Sequence, residues 1–216
     1  MNIIMTMAHV INLDKRPDRY EYIIDQFKNI KSIKLQRFSA ITHEKGMVGC
    51  GMSHQQILRE NKDKNEHVLI FEDDCMLLDP NNFDERWSEI KRWLDNNEDK
   101  WDVFLGGTQD ISTKIQHVVY DKNLKLIMFN RAPLAHFIYY NRKFIDNVLA
   151  VDTTKIAIDG ISRVYKQMRI VTCYPFLAHQ KPGLSNISGY ETNFMENRIW
   201  SENNVAKLIR KYKYHL

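Results

Sequence analysis

The sequence has few cysteines, few glycines and prolines, and no long apolar run. Its three cysteines, Cys50, Cys75 and Cys173, form no Cys-x-x-Cys pair, which argues against a disulfide framework and favours a reducing compartment such as the cytoplasm. No stretch of about 18 apolar residues occurs, so we expect no membrane-spanning helix. The segment Met1–Val10 has no basic residue before its apolar stretch, and we expect a first strand there rather than a signal peptide.

A strong excess of one charge is also lacking. The chain has 31 Lys and Arg against 27 Asp and Glu, a net charge of +4, which is too small to indicate a nucleic-acid partner. Basic residues gather in Glu202–Tyr214, which predicts a helix that either faces solvent or rests peripherally on an anionic membrane. High lysine, asparagine and isoleucine usage is typical of AT-rich bacterial or viral genomes.

Strand-like and helix-like patterns alternate in the first half of the chain, which predicts an α/β fold with a mostly parallel sheet flanked by helices. Apolar runs predict buried strands, and apolar residues at helical spacing predict helices between them. We expect strands at Ala8–Leu13, Leu35–Ala40, His67–Phe71 and Asp102–Leu105, a loop at Gly46–Gly51, and helices over 20–30, Met52–Asn61 and Phe83–Leu94.

The second half has a mixed pattern. A hairpin is predicted from Ile115–Tyr120 and Leu124–Phe129, around a polar turn. Further strands are predicted at Leu134–Tyr140 and Ile170–Tyr174, and helices over 144–149 and Ile161–Met168. No linker or repeat separates the two halves, so we expect a single domain.

An acidic motif of three residues, Glu72, Asp73 and Asp74, follows directly after the apolar strand His67–Phe71. Ligands of open α/β sheets gather at the carboxyl ends of strands, and adjacent carboxylates there repel one another unless a cation neutralises them. Oxygen ligands suit Mg²⁺ or Mn²⁺. The alternative is a solvated acidic turn, which the all-apolar strand before it makes less favourable.

Two loops complete the set of candidate motifs. The first loop, from Asn12 to Arg19, carries two arginines after the first strand and is suited to a nucleotide diphosphate, although a charged helix N-terminus is the plain alternative. Clustered glycines between Gly46 and His54 permit close backbone approach to a ligand, or simply form a flexible loop before a helix. We interpret Cys50 within this loop as a packing residue rather than a nucleophile.

Together these passages resemble glycosyltransferase family 25, the group that contains bacterial lipooligosaccharide galactosyltransferases and collagen-modifying galactosyltransferases. The resemblance rests on Val10 to Arg19, Gly46 to His54 and Leu69 to Asp74, in that order and spacing. A weaker likeness continues through Asp159 and Tyr174-Pro175 to Ser185.

The resemblance implies a GT-A fold with a donor-binding half over about 1–110, a smaller mixed acceptor half over about 111–200, and the basic helix over 201–216. It implies transfer of a hexose, galactose or glucose, from a UDP-sugar to a glycan or hydroxylated protein acceptor, with Mn²⁺ or Mg²⁺ and inversion at the sugar carbon. Lipopolysaccharide biosynthesis is one setting that the resemblance implies. The donor-binding candidates are Asn12, Asp14, Arg16, Arg19, Gly51, Ser53, His54, Asp73 and Lys181.

The resemblance also implies metal ligands. Asp74 is the expected ligand of the metal that bridges the diphosphate, with Glu72 or Asp73 on the metal or the ribose. His179 is a candidate further ligand because GT-A enzymes often supply a late histidine, although a polar loop residue without a role is an equal reading. Lys181 is a candidate for neutralising a phosphate.

Inversion requires a base that takes the proton of the acceptor hydroxyl. Asp159 in Ile158-Asp159-Gly160 is the first candidate, and its alternative role is that of a helix N-cap. Asp110, after Gly106-Gly107, is the second candidate.

Other functions stay open on the residues alone. Acids at a strand end also suit a Mg²⁺-dependent phosphohydrolase or phosphotransferase, for which Asp14 near the first strand would be the nucleophile. A non-catalytic sugar-nucleotide-binding protein is the remaining alternative. The intact acidic motif speaks against it, because unused carboxylates repel one another.

Overall fold

The computed structural model describes residues 5–111, 117–121, 123–133, 135–184 and 189–213. Ser185 and parts of the expected hairpin, strand and C-terminal helix, namely 115–116, Leu134 and Tyr214, lie outside them. The strands are β1 (Thr6–Asn12), β2 (Ile33–Ser39), β3 (Val68–Glu72), β4 (Cys75–Leu77), β5 (Val103–Leu105), β6 (His117–Asp121), β7 (Leu126–Phe129), β8 (Phe137–Tyr140), β9 (Ile170–Cys173), β10 (Ala178–Gln180), β11 (Gly183–Leu184) and β12 (Glu191–Thr192). The α-helices are α1 (Pro17–Phe27), α2 (Gly46–Asn61), α3 (Phe83–Asn96), α4 (Ile145–Leu149) and α5 (Met195–Lys213).

An eight-stranded sheet forms the centre, with the order β2-β1-β3-β8-β5-β9-β7-β6. β1 pairs in parallel with β2 and β3, and β5 pairs in parallel with β9. β8 is antiparallel to β3 and β5, while β7 is antiparallel to β9 and β6. Six of the eight strands therefore run in one direction, and the predicted α/β fold with a mostly parallel sheet is confirmed.

Helices cover both faces of this sheet because each strand buries side chains on both sides. On β3, Leu69 and Phe71 face one core while Val68 and Ile70 face the other. The first core is closed by α1 and α3 through Ile23, Phe27, Trp87 and Leu94. The second is closed by α2, α4 and α5 through Ile57, Leu58, Val148, Val205 and Leu208. The result is three layers, helix on sheet on helix.

The predicted strands and the hairpin are confirmed within a few residues, but the prediction of a loop at Gly46–Gly51 is wrong, because α2 begins at Gly46. A β-carbon on Gly49 would lie 2.4 Å from the carbonyl oxygen of Ile41, and one on Gly51 would meet Thr153 at 2.8 Å. Close packing of this helix against neighbouring backbone, rather than chain flexibility, explains these glycines.

Two further helix predictions need correction. The segment predicted as a helix over Ile161–Met168 is instead a 3-10 helix at Ile158–Arg163. The C-terminal helix starts at Met195, ahead of the predicted Glu202, and buries one apolar face while Lys207, Arg210 and Lys211 are exposed. None of the described helices is long and apolar enough to cross a membrane.

The two expected halves share one sheet. β8, from the second half of the chain, lies between β3 and β5 of the first half. β10 pairs with β4 in a separate two-stranded sheet, with Gln180 opposite Cys75. The later strand thereby brings Gln180 and Lys181 next to the acidic motif at the end of β3.

Candidate functional site

A cleft opens where β1 and β3 end. These strands are parallel neighbours with Ile11 opposite Glu72, so their carboxyl ends meet at one edge of the sheet. The cleft is lined by three of the predicted passages and by one later strand: Ile11, Leu13, Lys15, Arg19, Ala40, Ile41, Thr42, His43, Gly46, Cys50, Glu72, Asp73, Asp74 and Gln180. The fold therefore brings together motifs that are up to about 170 residues apart in sequence.

Asp73 is tied to the first loop. The Asn12 amide donates to its Oδ2 at 2.7 Å, and the Arg19 guanidinium lies 3.0 Å from its Oδ1. Asn12 is buried and accepts in turn from Arg37 of β2 at 2.9 Å. Burial raises the pKa of the Asp73 carboxyl above its ordinary value, although Asn12 and Arg19 oppose the shift. Asn12 thus joins the ends of three strands.

Asp74 lies beside two other carboxylates, those of Glu72 and Asp73, and near the Arg19 guanidinium. Its Oδ2 accepts from Gln180 at 3.0 Å and lies 3.8 Å from Arg19, while its Oδ1 is buried without a hydrogen-bond partner among the described residues. Burial, and next the Glu72 carboxylate, raises the pKa of Asp74 to about 7. An unpartnered carboxylate oxygen beside two other acids fits a hard divalent cation such as Mn²⁺ or Mg²⁺.

Glu72 faces α2. Cys50 donates to Glu72 Oε1 with an Sγ–Oε1 distance of 3.3 Å, and His54 Nε2 lies 3.5 Å from the same oxygen. Burial alone would raise the pKa of Glu72, but the adjacent imidazole of His54 and the hydrogen bond from Cys50 hold it below its ordinary value. The ligand atoms of these three side chains lie within 4.8 Å of one another.

Several predicted donor-binding residues lie outside the cleft lining. Asp14 is exposed and accepts from Arg37 and Ser39, at 2.7 and 2.9 Å. Arg16 pairs with Asp18, at 2.7 Å.

α2 supplies the wall behind the cleft. Ser53 donates to the Gly49 carbonyl at 2.8 Å and accepts from the Ile41 amide at 2.9 Å, which fixes the wall formed by Ile41 and its neighbours. Gly51, which is also on α2, packs against Thr153 from a later part of the chain.

His179 lies within β10 and Lys181 directly follows it, and the two side chains have different surroundings. The Lys181 amide donates to the Asp74 carbonyl at 2.7 Å, and its ammonium lies 3.5 Å from the centre of the Tyr22 ring. His179 is fully buried, and its ring meets that of His136 at 6.2 Å between centroids. Neither ring nitrogen of His179 has a hydrogen-bond partner in the described parts of the chain.

The two candidate bases differ in environment. Asp159 is exposed and lies inside a 3-10 helix whose N-cap position is Ala157, so the alternative role of Asp159 as the cap is wrong. After burial and Glu72, its charge contributes to raising the pKa of the Cys50 thiol, but Asp159 lies outside the cleft lining and lines a separate small cavity with Leu105 and Ser162. Asp110 has a positive φ of 56° and accepts from Asn197 of α5 at 3.2 Å.

Sequence reasoning missed Arg37 and Gln180. Arg37 reaches the first loop only because β2 pairs in parallel with β1, which places it beside Val10. Gln180 contacts Asp74 only because β10 folds back on β4. A lone polar residue in a short strand carries no local signal for either contact.

No protein-family model matches the chain, and no curated protein matches it. Mannose-1-phosphate geranyltransferase from Thermus thermophilus is a similar solved structure, with 8% identity over 78% of this chain and 73% of its own, and a TM-score of 0.44. Apo UDP-glucose pyrophosphorylase is similar with 12% identity over 97% of this chain and 82% of its own, and a TM-score of 0.44. A UDP-glucose pyrophosphorylase in complex with UDP-glucose is also similar, with 9% identity over 94% of this chain and 81% of its own, and a TM-score of 0.45. These values assign neither a family nor an activity.

Proposed function

We propose that the protein is a metal-dependent, inverting glycosyltransferase that moves a hexose from a UDP-sugar to a hydroxyl group of a glycan or glycosylated protein. Membership of glycosyltransferase family 25 is part of this proposal. It is supported by the convergence of the first loop, the start of α2 and the acidic motif on one cleft.

The observation that carries the proposal is the unpartnered, buried oxygen of Asp74 beside Glu72 and Asp73. Asp74, with Asp73 beside it, would hold Mn²⁺ or Mg²⁺, which when bound neutralises charge on a departing diphosphate. Arg19 and Lys15 line the same cleft and add positive charge for the phosphates. A cleft that contains both acidic and basic side chains can bind the metal ion and the phosphates of a metal-nucleotide complex together, which a cleft of one charge cannot.

Asp159 is the proposed base. In an inverting transfer the acceptor oxygen attacks the sugar carbon opposite the leaving diphosphate, and its proton passes to a carboxylate. Asp159 is exposed to solvent and is not a helix cap, so an incoming hydroxyl group can reach its carboxylate. The alternative of phosphoryl transfer through Asp14 is disfavoured, because the Asp14 carboxylate already accepts from Arg37 and Ser39.

Calorimetric titration with UDP, with and without Mn²⁺, tests the proposal. We expect Mn²⁺-dependent binding to the wild type, weakened at least about tenfold in Asp74→Asn because that variant loses a metal-binding charge. Asp25→Asn is the matched control, since Asp25 is an exposed acid of α1 paired only at the surface with Lys28. Absence of UDP binding in both conditions, or equal Mn²⁺-dependent binding by Asp74→Asn, would contradict the proposal.

A further inference from the structure

Three side chains of different chemistry converge behind the acidic motif. Cys50 and His54 are four residues apart on α2, so they lie on the same helix face, and that face is turned toward the end of β3. Glu72 is the last residue of β3 and meets both of them. A thiol, an imidazole and a carboxylate are the ligand types that zinc takes in proteins.

The spacing of the three atoms matches a tetrahedral ion. Zinc bonds of about 2.0–2.3 Å at tetrahedral angles hold neighbouring ligand atoms about 3.3–3.7 Å apart. The Cys50 Sγ lies 3.3 Å from Glu72 Oε1, and His54 Nε2 lies 3.5 Å from the same oxygen. All three ligand atoms lie within 4.8 Å of one another, so little movement would let them share one ion.

His54 gives a second, independent indication. The residue is fully buried, and its Nε2 has no hydrogen-bond partner in the described ranges although it points at the triad. Its other nitrogen, Nδ1, lies 3.1 Å from the Tyr140 hydroxyl. Metal-binding histidines donate their second ring N–H to an oxygen that fixes the ring, and Tyr140 lies where that oxygen is needed.

We propose that Cys50, His54 and Glu72 form a binding site for a zinc-class divalent cation, separate from the oxygen-liganded cation at Asp74. A thiolate and an imidazole favour Zn²⁺ over Mn²⁺ and Mg²⁺, which prefer oxygen. Cys50 and Glu72 line the cleft, so a fourth ligand position would open toward it. The site needs neither UDP nor a sugar, and it stands or falls independently of the glycosyltransferase proposal.

Binding at this site exchanges one proton for the metal. In the metal-free triad the Cys50 thiol keeps its proton and donates it in a hydrogen bond to Glu72 Oε1, at 3.3 Å. The cation binds the thiolate, and the thiol proton leaves to solvent. The bond that forms is metal to sulfur, and no oxidation accompanies it.

Titration of EDTA-treated full-length protein with Co²⁺ tests the site. Co²⁺ replaces Zn²⁺ in tetrahedral sites, and a bound thiolate gives a sulfur-to-cobalt charge-transfer band in the near ultraviolet. We expect this band to saturate at one equivalent, to disappear on adding Zn²⁺, and to be absent in Cys50→Ser. His54→Gln should weaken Co²⁺ binding at least about tenfold.

Two control variants show whether the band comes from this triad. Cys173→Ala removes a thiol on β9, away from the triad, and should keep the band. Asp74→Asn should also keep it, because Asp74 is not a ligand here, even when UDP binding is lost. Circular dichroism shows whether each variant is folded. A folded wild type without the band, or a band that persists in Cys50→Ser, would overturn the proposal regardless of the remaining variants.

Discussion

At the scale of single residues, the assignment of a base depends on what each carboxylate already does. Asp159 is exposed in the 3-10 helix Ile158–Arg163, and its charge acts on the buried Cys50 thiol and Tyr140 hydroxyl. Asp110 accepts from Asn197 and lies in a strained left-handed conformation. Asp159 is therefore the better candidate for proton transfer.

Replacing Asp159 by Asn should lower the transfer rate at least about a hundredfold while leaving UDP binding unchanged, because an amide cannot take the proton. Turnover of UDP-sugar with a trial acceptor, at saturating donor, measures the effect. Asp110→Asn is the control and should stay within a few-fold of the wild type. A near-normal rate in Asp159→Asn, with Asp110→Asn impaired, would reverse the assignment.

The site could be predicted from the sequence to the extent that its residues lie next to strand ends. Glu72, Asp73 and Asp74 follow an apolar strand, so their place at the sheet edge follows from the chain itself. Arg37 and Gln180 could not be predicted, because their contacts depend on which strands become neighbours. The contact of Cys50 with Glu72 is unpredictable for a related reason, since the glycines around Cys50 favour a loop in the sequence pattern.

At the scale of elements, α2 sets the position of the cleft wall. Gly49 packs with its α-carbon against the carbonyl of Ile41, and Ser53 hydrogen-bonds to the same backbone from the next turn.

The strands were predictable because apolar runs bounded by polar residues have few other structures available. The start of α2 was not, because glycine lowers helix propensity while tertiary packing selects it here.

Gly49→Ala should destabilise the protein by about 1–3 kcal/mol in urea unfolding, because the new methyl group would overlap a backbone oxygen at 2.4 Å. That clash outweighs the roughly 1 kcal/mol that alanine contributes to helix propensity. Gly160→Ala is the matched control, since its nearest new contact is an ordinary 3.6 Å to Ile156. Equal stability of the two variants would contradict this prediction, because it would show that the Ile41 backbone shifts to accommodate the methyl group.

At the scale of the whole molecule, two buried histidines make stability depend on pH. Burial lowers the pKa of His136 to about 4, against a weaker opposite effect of Glu72. The pKa of His179 is also lowered to about 4, by burial and then by the charges of His136 and Arg198. The unfolded chain binds these protons near pH 6.5, so the stability present above that pH is lost as the pH falls toward 4.

Between pH 7 and pH 5 each of these histidines should remove about 2 kcal/mol from the free energy of unfolding. Asp74 acts in the opposite direction because its pKa is raised to about 7, so the useful measurement is a difference between variants. Urea unfolding at both pH values should show a smaller loss for His136→Gln than for the wild type. The exposed His43→Gln should keep the wild-type loss, and identical losses in all three would refute the argument.

The position of β8 has a consequence for synthesis of the chain on the ribosome. When the first 110 residues have emerged, β3 and β5 have both been made, but the strand that separates them has not. Each would then present an open edge of unpaired backbone groups that attracts other strands. A truncated product ending near residue 110 should therefore accumulate in inclusion bodies, and the first half of the chain should not be obtainable as a folded piece by cutting the gene between the halves.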